Sequence, residues 1–509
     1  MSIFGGAIDR KRPRTLHAEL LGGVTLLANR ERHPRERYRI LEAYYHSTGV
    51  YDDLARMLAD VDLKSVRALR NPAHAVVEFY AATMFPGADL DEAMPIVTEN
   101  PKLPDAIRRI WDWSNMAANK QVLPRWESLY GDAFLKVATR SDDRTGQVRR
   151  VFQQPIKPEY VSEFETDERG FFTYVRLDIP KVRRNGDEFE PYTHTEVWDK
   201  PGDSFRVWEH DRGEDTPVSQ LGTPTRETAI TSFGFDFIPM AHAKFQDIGE
   251  GRGQSALMSG IEAIDEANRM ATRLHQLLFR HNRPVWALEA NAVDKDGLPL
   301  PPPLARPDGS DGDVLELGDD QMIGLPGNAK LVPLIPDVRY EAMLEALNAH
   351  LERMAAYHFP ELRYYEISDR DLSGRAIQFL LAGAVDRVRE ARGNLERAIV
   401  RANEMALTIA QIHNLPGFSA TELSGTWESG AFAHSIAERG VLPVNEVDEA
   451  EIAYKRAQTQ LIKAQYGYPR TRLWREDGLD DEDIAEMLRD SEAESQSIAD
   501  AMLRQFDRE

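Results

Sequence analysis

The sequence predicts an α+β fold, and three observations carry that reading. Apolar residues recur at helical spacing through most of the first 130 positions. The period changes to two between about 131 and 248, and helical spacing returns from 255 onward in segments longer than a small domain holds.

Three helices are predicted before residue 131. Arg35 to Tyr51 carries Tyr38, Leu41, Tyr44 and Tyr45 on one face, with Gly49 to end it; Asn71 to Phe85 carries Val76, Val77, Phe79, Tyr80 and Met84 and stops at Pro86-Gly87; Ile107 to Leu129 holds Trp111, Trp113 and Trp126. Short strands follow at Phe134 to Val137, Phe171 to Ile179, Thr193 to Trp198 and Phe205 to Trp208. They are punctuated by Asn185-Gly186, Pro201-Gly202 and Arg212-Gly213, the pattern of an antiparallel sheet with frequent turns.

Two amphipathic helices then bracket an irregular segment. Ser255 to His281 bears the stripe Leu257, Ile261, Ile264, Ala271, Leu274 and Leu278. Asp337 to His358, with Asp337 as N-cap, bears Tyr340, Leu344, Leu347, Leu351 and Met354. Between them, 283–336 is rich in Pro, Gly and Asp, with strand-like runs at Val285 to Leu288, Val314 to Leu317 and Lys330 to Leu334. Residues 359–372 read as a loop. Ser373 caps a helix of about 60 Å whose stripe runs from Ile377 to Ile409 without a proline before Pro416. The C-terminus, from Asn445, is helical and acidic.

At 509 residues the chain calls for several domains, and its 42% hydrophobic content is enough for a core. No apolar run approaches the roughly 20 residues of a membrane span. Met1 to Arg14 lacks the apolar segment of a secretory signal. The absence of cysteine excludes disulfides, thiolate metal sites and thiol catalysis, and suits synthesis in a reducing cytoplasm. A net charge of −22 argues against a protein that coats DNA, but suits one that handles DNA without gripping it.

The order of these parts resembles the portal proteins of tailed double-stranded DNA phages. Four passages carry the likeness: Arg37 to Tyr45; Asn71-Pro72 through Phe85-Pro86-Gly87; Ser255 to Arg273 with Ile264-Asp265-Glu266-Ala267-Asn268; and Leu372-Ser373-Gly374-Arg375-Ala376. Portals place an Ile/Leu-Asp-x-x-Asn sequence in the helix entering the stem, and Ser-Gly-x-Ala after the tunnel loop. The resemblance implies a helical stem (251–282 and 337–358), a small β clip (283–336), a mixed α/β wing (1–250 and 373–440), a tunnel loop (359–372) and a helical crown (441–509). It also implies a twelve-subunit ring around an axial channel for double-stranded DNA, located in the virion. Its partners would be the terminase motor, the major capsid and scaffolding proteins, and head-completion or adaptor proteins, with no membrane. Arg363, Tyr364, Tyr365, Asp369 and Arg370 would face the channel. Asp294, Lys295, Asp296, Asp308, Asp311 and Asp313 in the clip would meet the terminase or adaptor.

Motifs for chemistry are missing, as a conduit that is not an enzyme requires. The Gly249 to Gly253 cluster runs into Gln254-Ser255 and makes no phosphate-binding loop; it reads as a hinge before the stem. Gly253-Gln254-Ser255-Ala256-Leu257 lacks the last glycine of a nucleophile elbow. His275 and His281 do not share a helix face, and Asp294-Lys295-Asp296-Gly297 lacks the ligands of a calcium loop. No cofactor is expected. The basic residues Arg30, Arg32, Arg35, Arg37 and Arg39 read as a solvated helix face pairing with Glu31, Glu36 and Glu42 rather than as a nucleic-acid surface. The alternatives are another ring-forming virion or adaptor protein, separable by particle shape, and an enzyme built on scattered carboxylates, separable by metal-dependent activity.

Overall fold

The computed structural model describes residues 34–47, 70–142 apart from 88, 144, 146–185, 188–213, 216–282, 286–290, 329–333, 340–366, 374–437 and 440–441, with scattered positions from 454 to 489. The chain divides into two units, 1–371 with 379–441 and 372–378 with 442–509. In the second unit, residues 457–463 are helical and Leu461 and Ile462 stand exposed.

The first unit opens with helices α1 (Pro34–His46), α2 (Ala73–Thr83), α3 (Leu90–Ala93), α4 (Leu103–Trp113), α5 (Met116–Asn119) and α6 (Val122–Tyr130), with the short strand β1 (Ile96–Val97) between α3 and α4. The single helix expected over 107–129 is three pieces. Asn115 turns left-handed at φ 50°, a conformation asparagine tolerates and a continuing helix does not.

Strands β2 (Asp132–Ser141) and β3 (Val148–Ile156) follow, then β4 (Val161–Thr166), β5 (Phe172–Asn185), β6 (Glu188–Asp199), β7 (Ser204–His210), β8 (Arg226–Thr228) and β9 (Met240–Lys244). They form a five-stranded antiparallel meander, β4-β5-β6-β7-β8, and a three-stranded sheet, β3-β2-β9. Phe134 on β2 joins Val175, Leu177, Trp198 and Phe205 of the meander in one apolar cluster. The other face of β2, with Leu135 and Val137, packs into the helical core. This alternation places β2 between two cores.

Next come α7 (Ile261–Asn282), β10 (Trp286–Ala290) paired antiparallel with β11 (Ala329–Pro333), α8 (Tyr340–Tyr357), α9 (Arg363–Glu366) and the long α10 (Gly374–Ile412), with β12 (Ser435–Ile436) pairing back on β1. The two stem rods lie where periodicity puts them. Their stripes are buried near the body (Ile261, Ile264, Ala271, Leu347, Met354) and emerge outward, where Leu278 and Leu344 are exposed. From 379 onward α10 buries its expected stripe of Leu381, Ala384, Val388, Ala391, Leu395, Ile399, Ala402 and Ile409. Fully buried Trp111 donates its indole N–H to Asn403 on this helix at 2.9 Å, so a large apolar ring keeps its one polar group satisfied.

Candidate functional site

The root of the two stem rods concentrates the buried charge of the molecule. Asp132, the first residue of β2, is fully buried. Its carboxylate accepts from the Tyr38 hydroxyl at 2.5 Å and the Gly253 amide at 2.8 Å, and meets the His242 ring nitrogen at 2.7 Å and Arg37 at 3.4 Å. Burial pushes this carboxyl up, but hydrogen bonding to and charge from His242, then the charges of Arg252 and Arg37, outweigh it and hold it below the usual aspartate range. His242 stacks on Phe134 at 4.4 Å, which fixes its ring plane. Arg252 lies against the rings of Tyr38, Phe134 and Phe164 and donates to the Tyr38 hydroxyl at 2.8 Å and the Val161 carbonyl at 2.7 Å.

One turn of α6 away, Glu127 is buried and neither carboxyl oxygen has a partner among the described residues. Burial first, and then the Asp132 charge, raises it well above the ordinary range. Two carboxyls on adjoining elements are thus held in opposite states by their surroundings.

The expected hinge at Gly249 to Gly253 is a tied turn. Gln246 and Gln254 bridge, and the backbones of Gly131 and Gly253 touch: a Cβ on Gly253 would lie 2.0 Å from the Gly131 carbonyl oxygen. Gly131 also sits at φ +86°, ending α6 left-handed. Ser255 then donates to the carbonyls of Leu129 (2.6 Å) and Ser128 (3.1 Å) and accepts from the Leu257 amide, so the stem entry is stitched to the end of α6.

The Ile264-Asp265-x-x-Asn268 sequence docks the first rod. Tyr44 of α1 donates to Asp265 at 2.7 Å, and the Arg70 amide donates to the Asn268 side chain. Burial pushes Asp265 up to about 6. On the second rod, His350 Nε2 contacts the Ala263 carbonyl at 2.9 Å. Phe359, fully buried, closes the root by seating its ring on Gly260, where a Cβ would lie 2.2 Å from the ring.

Residues 359–366 were expected as loop. They form one 3-10 turn, Pro360–Leu362, and the single helical turn α9. Glu361 is the physical reason, because its buried side chain is held from two sides. The Tyr80 hydroxyl stands 3.4 Å from one oxygen and Arg387 of α10 3.8 Å from the same oxygen. Burial, the dominant influence, pushes Glu361 up to about 7 against the opposing pull of Arg387 and Tyr80. Arg387 also donates to the His358 carbonyl at 2.8 Å.

Of the residues expected at a channel, Arg363 lies on α9, half-buried. Tyr364 packs edge-on against Phe79 at 5.5 Å, and Tyr365 donates to the Ala75 carbonyl at 3.0 Å, yet both rings remain exposed on one side. Asp369 and Arg370 lie outside the described residues, as do Asp294, Lys295, Asp296, Asp308, Asp311 and Asp313.

The arginines of α1 differ from the sequence reading. Arg35 is buried and binds Ser162 at 2.7 Å and Asp178 at 3.4 Å; Arg37 reaches Asp132; Arg39 pairs with Glu159 at 2.9 Å. Their partners come from the β region rather than from Glu31, Glu36 and Glu42. These arginines are therefore internal ties, not a solvated face. No group of three metal-binding side chains occurs among the described residues.

A family model described as phage portal protein, SPP1 Gp6-like, matches residues 33–497. The chain belongs to this portal family. Among solved structures, the chain is similar to the neck of a native GTA particle computed with C12 symmetry, at 14% identity and TM-score 0.38, covering 80% of this chain and 89% of that one. It is also similar to a chain of the virion of a native gene transfer agent particle (13%, TM-score 0.42, covering 90% and 98%) and to one of the neck of an empty GTA particle computed with C6 symmetry (14%, 0.41, 90% and 98%). No curated protein matches the chain. Within the portal family reading, the paired rods are the stem, and the Asp132 cluster is the joint that sets their direction from the wing.

Proposed function

We propose that this chain is a subunit of a twelve-membered ring at the portal vertex of a virion, assembled in the host cytoplasm, through which double-stranded DNA is packaged and ejected. The observation that carries the reading is the portal-family match across 33–497, on a chain whose two stripe-bearing rods leave the body at one rigid root. Two rods per copy, side by side, supply a continuous wall when copies repeat around an axis. The wall works passively. With a net charge of −22 per chain, it repels phosphate and keeps DNA mobile.

At the inner end of the rods, Arg363, Tyr364, Tyr365, Asp369 and Arg370 face the DNA. Symmetry turns each arginine into a belt of positive charge, and the anchoring of Tyr364 and Tyr365 to α2 fixes its radius. The clip residues Asp294, Lys295, Asp296, Asp308, Asp311 and Asp313 receive the terminase during packaging and the adaptor proteins afterwards. Capsid and scaffolding proteins contact the outer surface. No catalysis is assigned to the chain.

Negative-stain imaging of the purified protein tests this directly. Closed rings with an axial hole are expected; a compact monomer refutes the proposal.

A further inference from the structure

β5 and β6 outrun their sheet. β4 pairs with β5 only as far as Leu177, and β7 pairs with β6 only from Thr193 onward, whereas β5 and β6 continue together to Asn185 and Glu188. Past those limits the ribbon has no flanking strand among the described residues. Directly opposed residues share a face. Val182 opposite Pro191 and Arg184 opposite Phe189 therefore line one side of the projecting hairpin. Phe189 is 71% exposed and Val182 63%. This side carries one cation, Arg184, and no acid.

A groove of about 820 Å³ lies at the opposite end of the same two strands, between the start of β5, the segment 231–238 and α10. Its wall includes Phe171, Phe235, Phe237 and Trp427. Phe235 and Phe237 stack at 4.7 Å, and Phe171 and Trp427 are exposed. Four acids and three cations line it, so the groove is net acidic by one charge. Asp236, 87% exposed, stands in it with only a 3.6 Å pairing to exposed Lys200, and Glu428 is exposed as well. The apolar, cationic knob and the aromatic, acidic groove are complementary. They are also separated by the length of one ladder, Thr173 to Arg184, about 37 Å at 3.4 Å per residue. The hairpin cannot reach the groove of its own chain.

We infer that the hairpin of one copy seats in this groove of the next, with Phe189 and Val182 among the rings and Arg184 toward Asp236. Knob and socket at opposite ends of one subunit make a head-to-tail contact, which closes into a ring when the rotation per copy closes. The inference rests on the ring reading above and names the surface that carries it.

The cysteine-free chain allows a clean test. An Arg184→Cys, Asp236→Cys double variant is assembled, oxidised and run on a denaturing, non-reducing gel. A ladder of linked subunits is expected. Each single variant alone gives no ladder, and an equimolar mixture of the two stops at dimers. Rings that assemble but yield no linked species overturn this inference and leave the ring reading standing; a wild-type chain that remains monomeric overturns both. As a second measurement, Phe189→Glu raises the concentration needed for half-assembly by at least about 10-fold, with the melting of the isolated subunit unchanged because the side chain is exposed there. An unchanged assembly concentration contradicts the contact.

Discussion

Replacing Asp132 with alanine removes the acceptor at the centre of the stem root. Three donors lose their partner together: the Tyr38 hydroxyl at 2.5 Å, the His242 ring at 2.7 Å and the Gly253 amide at 2.8 Å. A buried donor left unsatisfied costs about 1–3 kcal/mol, so a simple sum reaches about 9 kcal/mol. Neighbours in one network do not add, and breaking a buried ion pair from one side runs about 3–5 kcal/mol. The expected loss is therefore about 4 kcal/mol, read by guanidinium denaturation of the dissociated subunit. It should be local: hydrogen exchange should quicken at Met240–Lys244 and 253–257 while β6 and β7 keep their protection. Asp132→Asn should lose roughly half as much, since it keeps shape and one acceptor. The folded carboxyl is held below its unfolded value of about 3.9, so the charge stabilises above about pH 4, and this contribution is lost as pH falls through the folded value. The gap between wild type and Asp132→Asn should close in acid. A loss under about 1 kcal/mol for Asp132→Ala, or exchange quickened uniformly through the wing, refutes the assignment of this cluster as the joint.

Glu361 gives the opposite sign: its folded value of about 7 exceeds the unfolded one, so wild type loses stability as pH rises from about 4.5 to 7. Glu361→Gln should be more stable than wild type at pH 8 by up to about 3 kcal/mol and no more stable at pH 4, as thermal melts across pH will show. Gly260→Ala drives a methyl into the Phe359 ring and should cost about 1–3 kcal/mol, with Phe359→Leu in the same chain recovering part of it in a double-mutant cycle. Arg363→Glu should leave ring assembly intact and lower packaged or retained DNA; particles filled to the wild-type level would remove Arg363 from the channel.

The rods and the long helix were legible in the sequence because their stripes are uninterrupted. The periodic segments 255–281, 337–358 and 373 onward correspond to Ile261–Asn282, Tyr340–Tyr357 and Gly374–Ile412. Strands β3, β4 and β9 were not. β9 is five residues, Met240–Lys244, recognisable only by its pairing with β2, and β3 places Arg149 and Arg150 beside each other and a proline near its end. The break at Asn115 was hidden by apolar residues that keep helical spacing across it.

The stem root was invisible for a different reason. Asp132, Tyr38, His242 and Gly253 come from four distant segments, and no spacing rule joins them. The arginines of α1 were visible as a cluster, but their partners lie 95 to 143 positions away, so nearby glutamates were the natural but mistaken choice. One signal was available: the paired Asp265 and Asn268 of the stem entry are the residues that dock it to Tyr44 and Arg70.

The backbone-to-backbone touch of Gly131 and Gly253 has a bearing on how this protein can be recombined with its relatives. Where two main chains meet with no side chain between them, neither can be exchanged alone, because the shape of one is the mould of the other. A hybrid that takes its rods from one parent and its sheet from another should take 128–132 and 253–257 from the same source. Crossovers that divide these stretches should yield insoluble chains even when each half is native to a working portal.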